Sequence, residues 1–122
     1  MSHIVTIATE VRDEAAVQSA CRRLSLEPPV RGSHDLYLDT ALGLAVRLPG
    51  WRYPAVFDTA AGQVRFDNFH GIWGEQVHLD RFLQAYAVEK ATLEARRKGH
   101  AVRERALADG SIQLTVIVGG AA

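Results

Sequence analysis

Histidine and cysteine are the side chains most able to do chemistry near neutral pH, and this chain has five histidines, His3, His34, His70, His78 and His100, and one cysteine, Cys21. Neutral imidazole is a common metal ligand. No two of these histidines form a His-x-His or HExxH spacing and none has a cysteine nearby, so a metal site would have to be assembled wholly by tertiary proximity. No metal or other cofactor is expected. Cys21 precedes Arg22 and Arg23, cations that could lower a thiol pKa, but it falls in an apolar helical stripe and reads as a small buried hydrophobe. Ser19, Ser25, Ser33 and Ser111 sit in no nucleophile-elbow pattern, and no glycine-rich phosphate loop is present. No catalytic residue is assigned.

The remaining candidates are binding residues. Lys90 follows Tyr86 by one turn, in the middle of a helical stripe that is otherwise apolar. It either snorkels past the sheet edge or is a polar group facing a partner or ligand, beside Gln84 and Tyr86. Trp73, between Gly71 and Gly74, is either a lid over the core or an anchor for a partner. Arg96, Arg97, Arg103 and Arg105 could form a local basic patch, although Glu94 and Glu104 are interleaved with them and an arginine-rich helix end is commonly just solvated.

The elements that must position these residues follow from periodicity. Ser2 to Val11 alternates with both faces apolar or neutral, the pattern of a central strand. Asp13 caps a helix whose stripe is Val17, Ala20, Cys21 and Leu24, ending before Pro28-Pro29. The period then changes to that of strands: Leu36/Leu38, Leu42 to Leu48, Tyr53 to Asp58 and Gln63 to Asp67, with turns at Pro49-Gly50 and Ala60-Ala61-Gly62. Phe69 to Glu75 is a loop. A long helix runs from Val77 to about Lys98, its core face made of Leu79, Phe82, Leu83, Tyr86 and Leu93, with Gly99 as the residue that ends it. Asp109-Gly110 joins Val102–Ala106 to Ile112–Val118 as a hairpin. The order β-α-β-β-β-β-α-β-β implies an α+β fold: a single-domain two-layer sandwich over residues 1–118, with both helices on one face of a mainly antiparallel sheet that the hairpin closes, and a frayed tail at 119–122.

With 122 residues, 48% of them apolar, and 14 basic against 14 acidic side chains, the chain suits one soluble globular domain and has no net field to draw in nucleic acid or anionic lipid. A lone cysteine, no signal or transit pattern at the start and no apolar run of about 20 residues point to the cytoplasm and away from the membrane.

The opening Met1-Ser2-His3-Ile4-Val5-Thr6-Ile7-Ala8-Thr9-Glu10-Val11-Arg12-Asp13 resembles the start of the Ycf-thirty-five family, a hypothetical chloroplast reading frame also known as domain of unknown function DUF-twelve-fifty-seven. Leu83-Gln84-Ala85-Tyr86-Ala87, Glu94-Ala95, Gly99, Val102, Glu104, Asp109-Gly110-Ser111-Ile112 and Leu114 are similar to that family's C-terminal helix and hairpin. The segment from Pro28 to Trp73 does not align, and its apolar stretch from Leu42 to Trp51 departs from the family pattern. Members occur in bacteria, cyanobacteria included, and in algal plastids, and tend to be encoded near an AAA-type ATPase and a second very small protein. The family has no established activity. The resemblance therefore implies a non-catalytic adaptor or protein-interaction module working with such an ATPase and its small companion, through Trp73, Gln84, Tyr86 and Lys90. A small-ligand or metal-binding protein and a nucleic-acid binder using the arginine patch are the alternatives, nucleic acid being the less favoured partner.

Overall fold

Alternation and helical periodicity resolve, in a computed structural model that describes residues 4–119, into β1 (Val5–Ala8), α1 (Glu14–Arg23), β2 (Val30–Asp35), β3 (Thr40–Val46), β4 (Ala55–Asp58), β5 (Gln63–Phe66), a 3-10 turn (Phe69–Gly71), α2 (Gln76–Arg97), β6 (Ala101–Ala106) and β7 (Ile112–Ile117). The fold is α+β. Five strands form an antiparallel sheet in the order β1-β5-β4-β3-β2, and β6 and β7 form a separate antiparallel pair. No helix among the described residues is long and apolar enough to cross a membrane. His3 and residues 120–122 of the expected tail lie outside the described residues.

Both helices cover one face of the large sheet. Val17, Ala20 and Cys21 of α1 and Leu79, Phe82 and Tyr86 of α2 meet Leu44, Val46, Ala55, Phe57, Val64 and Phe66 of the sheet in one buried cluster. The Phe57 and Phe82 rings lie 5.2 Å apart at its centre. A smaller cluster, Leu36, Ala41, Ala45 and Val56, occupies the opposite face. Gly43 lets β3 and β4 close up, because a Cβ there would come within 2.3 Å of the Phe57 carbonyl oxygen.

Helix ends follow the sequence signals. Asp13 has extended φ/ψ and its carboxylate accepts from the Ala16 amide, the usual N-cap arrangement. At the other end of α2, Gly99 adopts φ +78, its amide donates to the Arg96 carbonyl and the His100 amide to that of Ala95. These are the two bonds of a Schellman motif.

Three expectations are corrected. The first strand is an edge strand of four residues, not a central one, with Val5 and Ile7 38% and 37% exposed. Apolar residues on both faces of a strand report what lies above and below it and carry no information about its edges. The second strand begins at Val30 and ends before Leu36, and Leu38 sits 73% exposed in the turn that follows. As the other edge strand it shows solvent on both faces, so Val30-Arg31-Gly32-Ser33-His34-Asp35 has no apolar alternation to read. Finally, the β6–β7 hairpin does not close the sheet. It lies against α2, which is why Val88, Thr92 and Ala95 are buried although they fall outside the stripe that faces the sheet.

Candidate functional site

The turn from β1 into α1 is fixed against α2 by a single hydroxyl. Tyr86 is 5% exposed, and its Oη accepts from the backbone amides of Arg12 at 3.1 Å and Asp13 at 3.0 Å. Arg12 then reaches across the hairpin between β4 and β5, Nη1 donating to the Ala60 carbonyl at 2.9 Å. Asp13 divides its two oxygens between tasks. Oδ1 caps α1 through the Ala16 amide at 3.2 Å, and Oδ2 accepts from Lys90 Nζ at 3.2 Å. Burial pushes the Asp13 carboxyl up, but the Lys90 ammonium and the helix amides outweigh it and hold the group below the usual carboxylate value.

Lys90 is therefore one bridge between the start of α1 and α2, contacting Glu94 at 2.9 Å as well as Asp13, with its side chain 33% exposed. The ammonium is stabilised by Glu94 first and then by Asp13. Arg97 approaches Asp13 more loosely, at 3.9 Å.

Beside this ion cluster runs a groove of about 640 Å³, between the end of β1 and the flank of α2 that carries Leu83, Ala87 and Lys90. Ile7, Val11, Leu83, Ala87 and Ala91 give it an apolar lining, and Glu10, Arg12, Lys90 and Glu94 rim it. Ala87 and Ala91 stand one turn apart on one side of α2, and their small side chains leave the depth that a larger residue would fill. On the strand side the groove meets the free edge of β1, which no strand pairs among the described residues.

Two of the sequence candidates, Tyr86 and Lys90, thus line one groove. Gln84 does not. Its Nε2 donates to the Gly110 carbonyl at 3.0 Å and ties the hairpin tip to α2. Trp73 is also elsewhere, half-buried among Tyr37, Tyr53 and Phe69 with ring centroids 5.0, 5.7 and 4.8 Å away and the Arg52 guanidinium 5.0 Å over its face. Its loop is held firmly. A Cβ on Gly74 would meet the Trp51 ring at 2.5 Å, Asn68 Nδ2 donates to the Gly74 carbonyl at 3.1 Å and Trp51 Nε1 to that of Glu75 at 3.0 Å. Phe69 and His70 both take left-handed φ, 45 and 54, which concentrates backbone strain beside the aromatic cluster.

The four arginines do not come together. Arg97 leans toward Asp13 and Arg96 acts on Glu104. Glu104 also pairs with Arg23 of α1, which in turn reaches Glu89 at 3.1 Å. Strand alternation places Arg103 and Arg105 on the face of β6 opposite Glu104. Burial pushes the Cys21 thiol up to about 11, so it stays protonated near neutral pH. Among the described residues no group of three or more His, Cys, Asp or Glu side chains is arranged to hold a metal ion.

The groove and the free β1 edge escaped the sequence reading. The available signal was Lys90 in an apolar stripe next to Ala87 and Ala91, small residues where a closed helix surface would carry larger ones. No known family, curated protein or solved structure matches the chain.

Proposed function

We propose that this chain is a non-catalytic protein-interaction module that seats a partner segment in the groove between β1 and α2. The observation that carries the reading is the coincidence of an apolar groove, a charged rim and a strand edge that is unpaired among the described residues. An apolar surface rimmed by charge is the usual dress of a protein interface, and a free strand edge adds main-chain donors and acceptors to it. The AAA-type ATPase and small companion protein implied by the resemblance to the Ycf-thirty-five family are the first partners to try, and the cytoplasm is the compartment proposed.

Small-ligand binding is the second reading, favoured by one observation: the groove's volume is within the range of ligand pockets. The two separate under one experiment, co-elution of the purified chain with the purified ATPase, repeated with Ala91→Arg. The arginine fills the groove from the exposed side of α2. Loss of co-elution with an unchanged thermal midpoint supports the partner reading, and unaltered co-elution removes the groove from it.

A further inference from the structure

Two antiparallel strands alone are marginal in water unless a helix or a third strand supports them, and the β6–β7 pair has α2 against only one face. The Leu107 amide donates to the Ser111 carbonyl at 2.9 Å. With the register Arg105↔Gln113 and Arg103↔Thr115, the hydrogen-bonded positions recur at every second residue. The main-chain groups of Val102, Glu104 and Ala106 therefore point away from β7, along an edge that no strand occupies among the described residues. Arg103 and Arg105 project from the face opposite Glu104, and both are exposed. Their cross-strand neighbours, Thr115 and Gln113, are neutral. Among the described residues neither arginine has an ion-pair partner.

We propose that the free edge of β6 receives an extended acidic segment of a partner protein as a third strand. Its backbone would bond Val102, Glu104 and Ala106, and carboxylates at alternate positions would meet Arg103 and Arg105, whose spacing of about 7 Å along the strand matches the two-residue repeat of the incoming segment. The residues between those carboxylates fall on the helix side, where Val102 and Leu114 are half-buried and Val116 is 43% exposed, so small apolar side chains suit them. The same arginines discriminate against a second copy of the chain, since antiparallel β6 against β6 sets like charges side by side. Two cations on a chain of zero net charge give nucleic acid only a small electrostatic return and leave the strand edge unused. This site is distinct from the β1 groove, and either reading can fail alone.

The test uses the full chain and three labelled octapeptides: alternating Val and Glu, alternating Val and Lys, and alternating Pro and Glu, the last having the charge but no N–H donor at the alternate positions that would bond β6. Fluorescence anisotropy is expected to give the Val-Glu peptide an affinity at least about tenfold above both others, with slowed hydrogen exchange at the Glu104 and Ala106 amides. The double variant Arg103→Glu with Arg105→Glu, checked by circular dichroism, is expected to reverse the preference toward Val-Lys. The neutral pair Arg103→Gln with Arg105→Gln should abolish it. Equal affinity for the three peptides, no binding at all, or binding untouched by the double variants would overturn the proposal. Tighter binding of a short DNA duplex that the double variant abolishes would overturn it in favour of nucleic acid.

Discussion

Removing one oxygen atom, in Tyr86→Phe, strips the acceptor from two amides at once. The ring stays, so the 5% exposed side chain leaves no cavity, and what is lost is confined to the Arg12 and Asp13 bonds at 3.1 and 3.0 Å. A buried donor left unsatisfied costs about 1–3 kcal/mol. The groove runs alongside this turn and lets water reach it in part, so the sum for both amides is expected at about 1–3 kcal/mol in place of twice that. In a domain of this size that is a fall of roughly 3–10 °C in thermal midpoint. Urea denaturation followed by far-UV circular dichroism should show a lower midpoint with an unchanged slope. Amide exchange should quicken at Arg12 and Asp13 while that of Val56 and Phe57, in the sheet centre, changes only with global stability. A loss below about 0.5 kcal/mol, or exchange at Arg12 and Asp13 no faster than at Val56, would refute the view that this hydroxyl clamps β1 and α1 to α2.

Further outcomes follow from the same geometry. Asp13 has its folded-state pKa below the unfolded value, so its contribution is full above the ordinary carboxylate pKa and is lost as the solution is acidified below it; Asp13→Asn, which keeps the cap, should narrow the gap in urea midpoint between pH 7 and pH 3. Phe82→Ala should cost about 3–5 kcal/mol and Leu83→Ala, at the half-buried groove wall, less than about 2 kcal/mol in the same urea assay. Trp73→Ala should cost about 2–4 kcal/mol by thermal or urea denaturation, because its ring contacts lie within the chain. Gly74→Ala should destabilise by about 1–3 kcal/mol by forcing a Cβ into the Trp51 ring.

How much of this was readable in the sequence depends on what each element touches. Elements packed on the core announced themselves: the Val17–Cys21 stripe and the strand carrying Leu44 and Val46 match the structure, although Leu42 of the same alternation is 73% exposed, and the Asp109-Gly110 turn and the boundaries of α2, to within a residue, match as well. Edge strands did not, since β2 has little apolar contact to leave a pattern and β1 has apolar residues whose edge is free. The long helix was read as having one buried side, whereas α2 is buried on two, against the sheet and against the hairpin. Lys90 was legible as an anomaly. Its partner Asp13 lies 77 residues away, a distance that local spacing cannot span.

The central claim, that a protein partner occupies the groove between β1 and α2, is tested most directly by photo-crosslinking in the native cell. A benzophenone amino acid replaces Ala87, inside the groove, or Leu38, an exposed apolar residue of the β2–β3 turn that lies outside it. A discrete protein adduct from position 87 and none from position 38, abolished when Ala91→Arg is added, is the expected result. An adduct from position 38 alone, or one from position 87 that persists with Ala91→Arg, would contradict it.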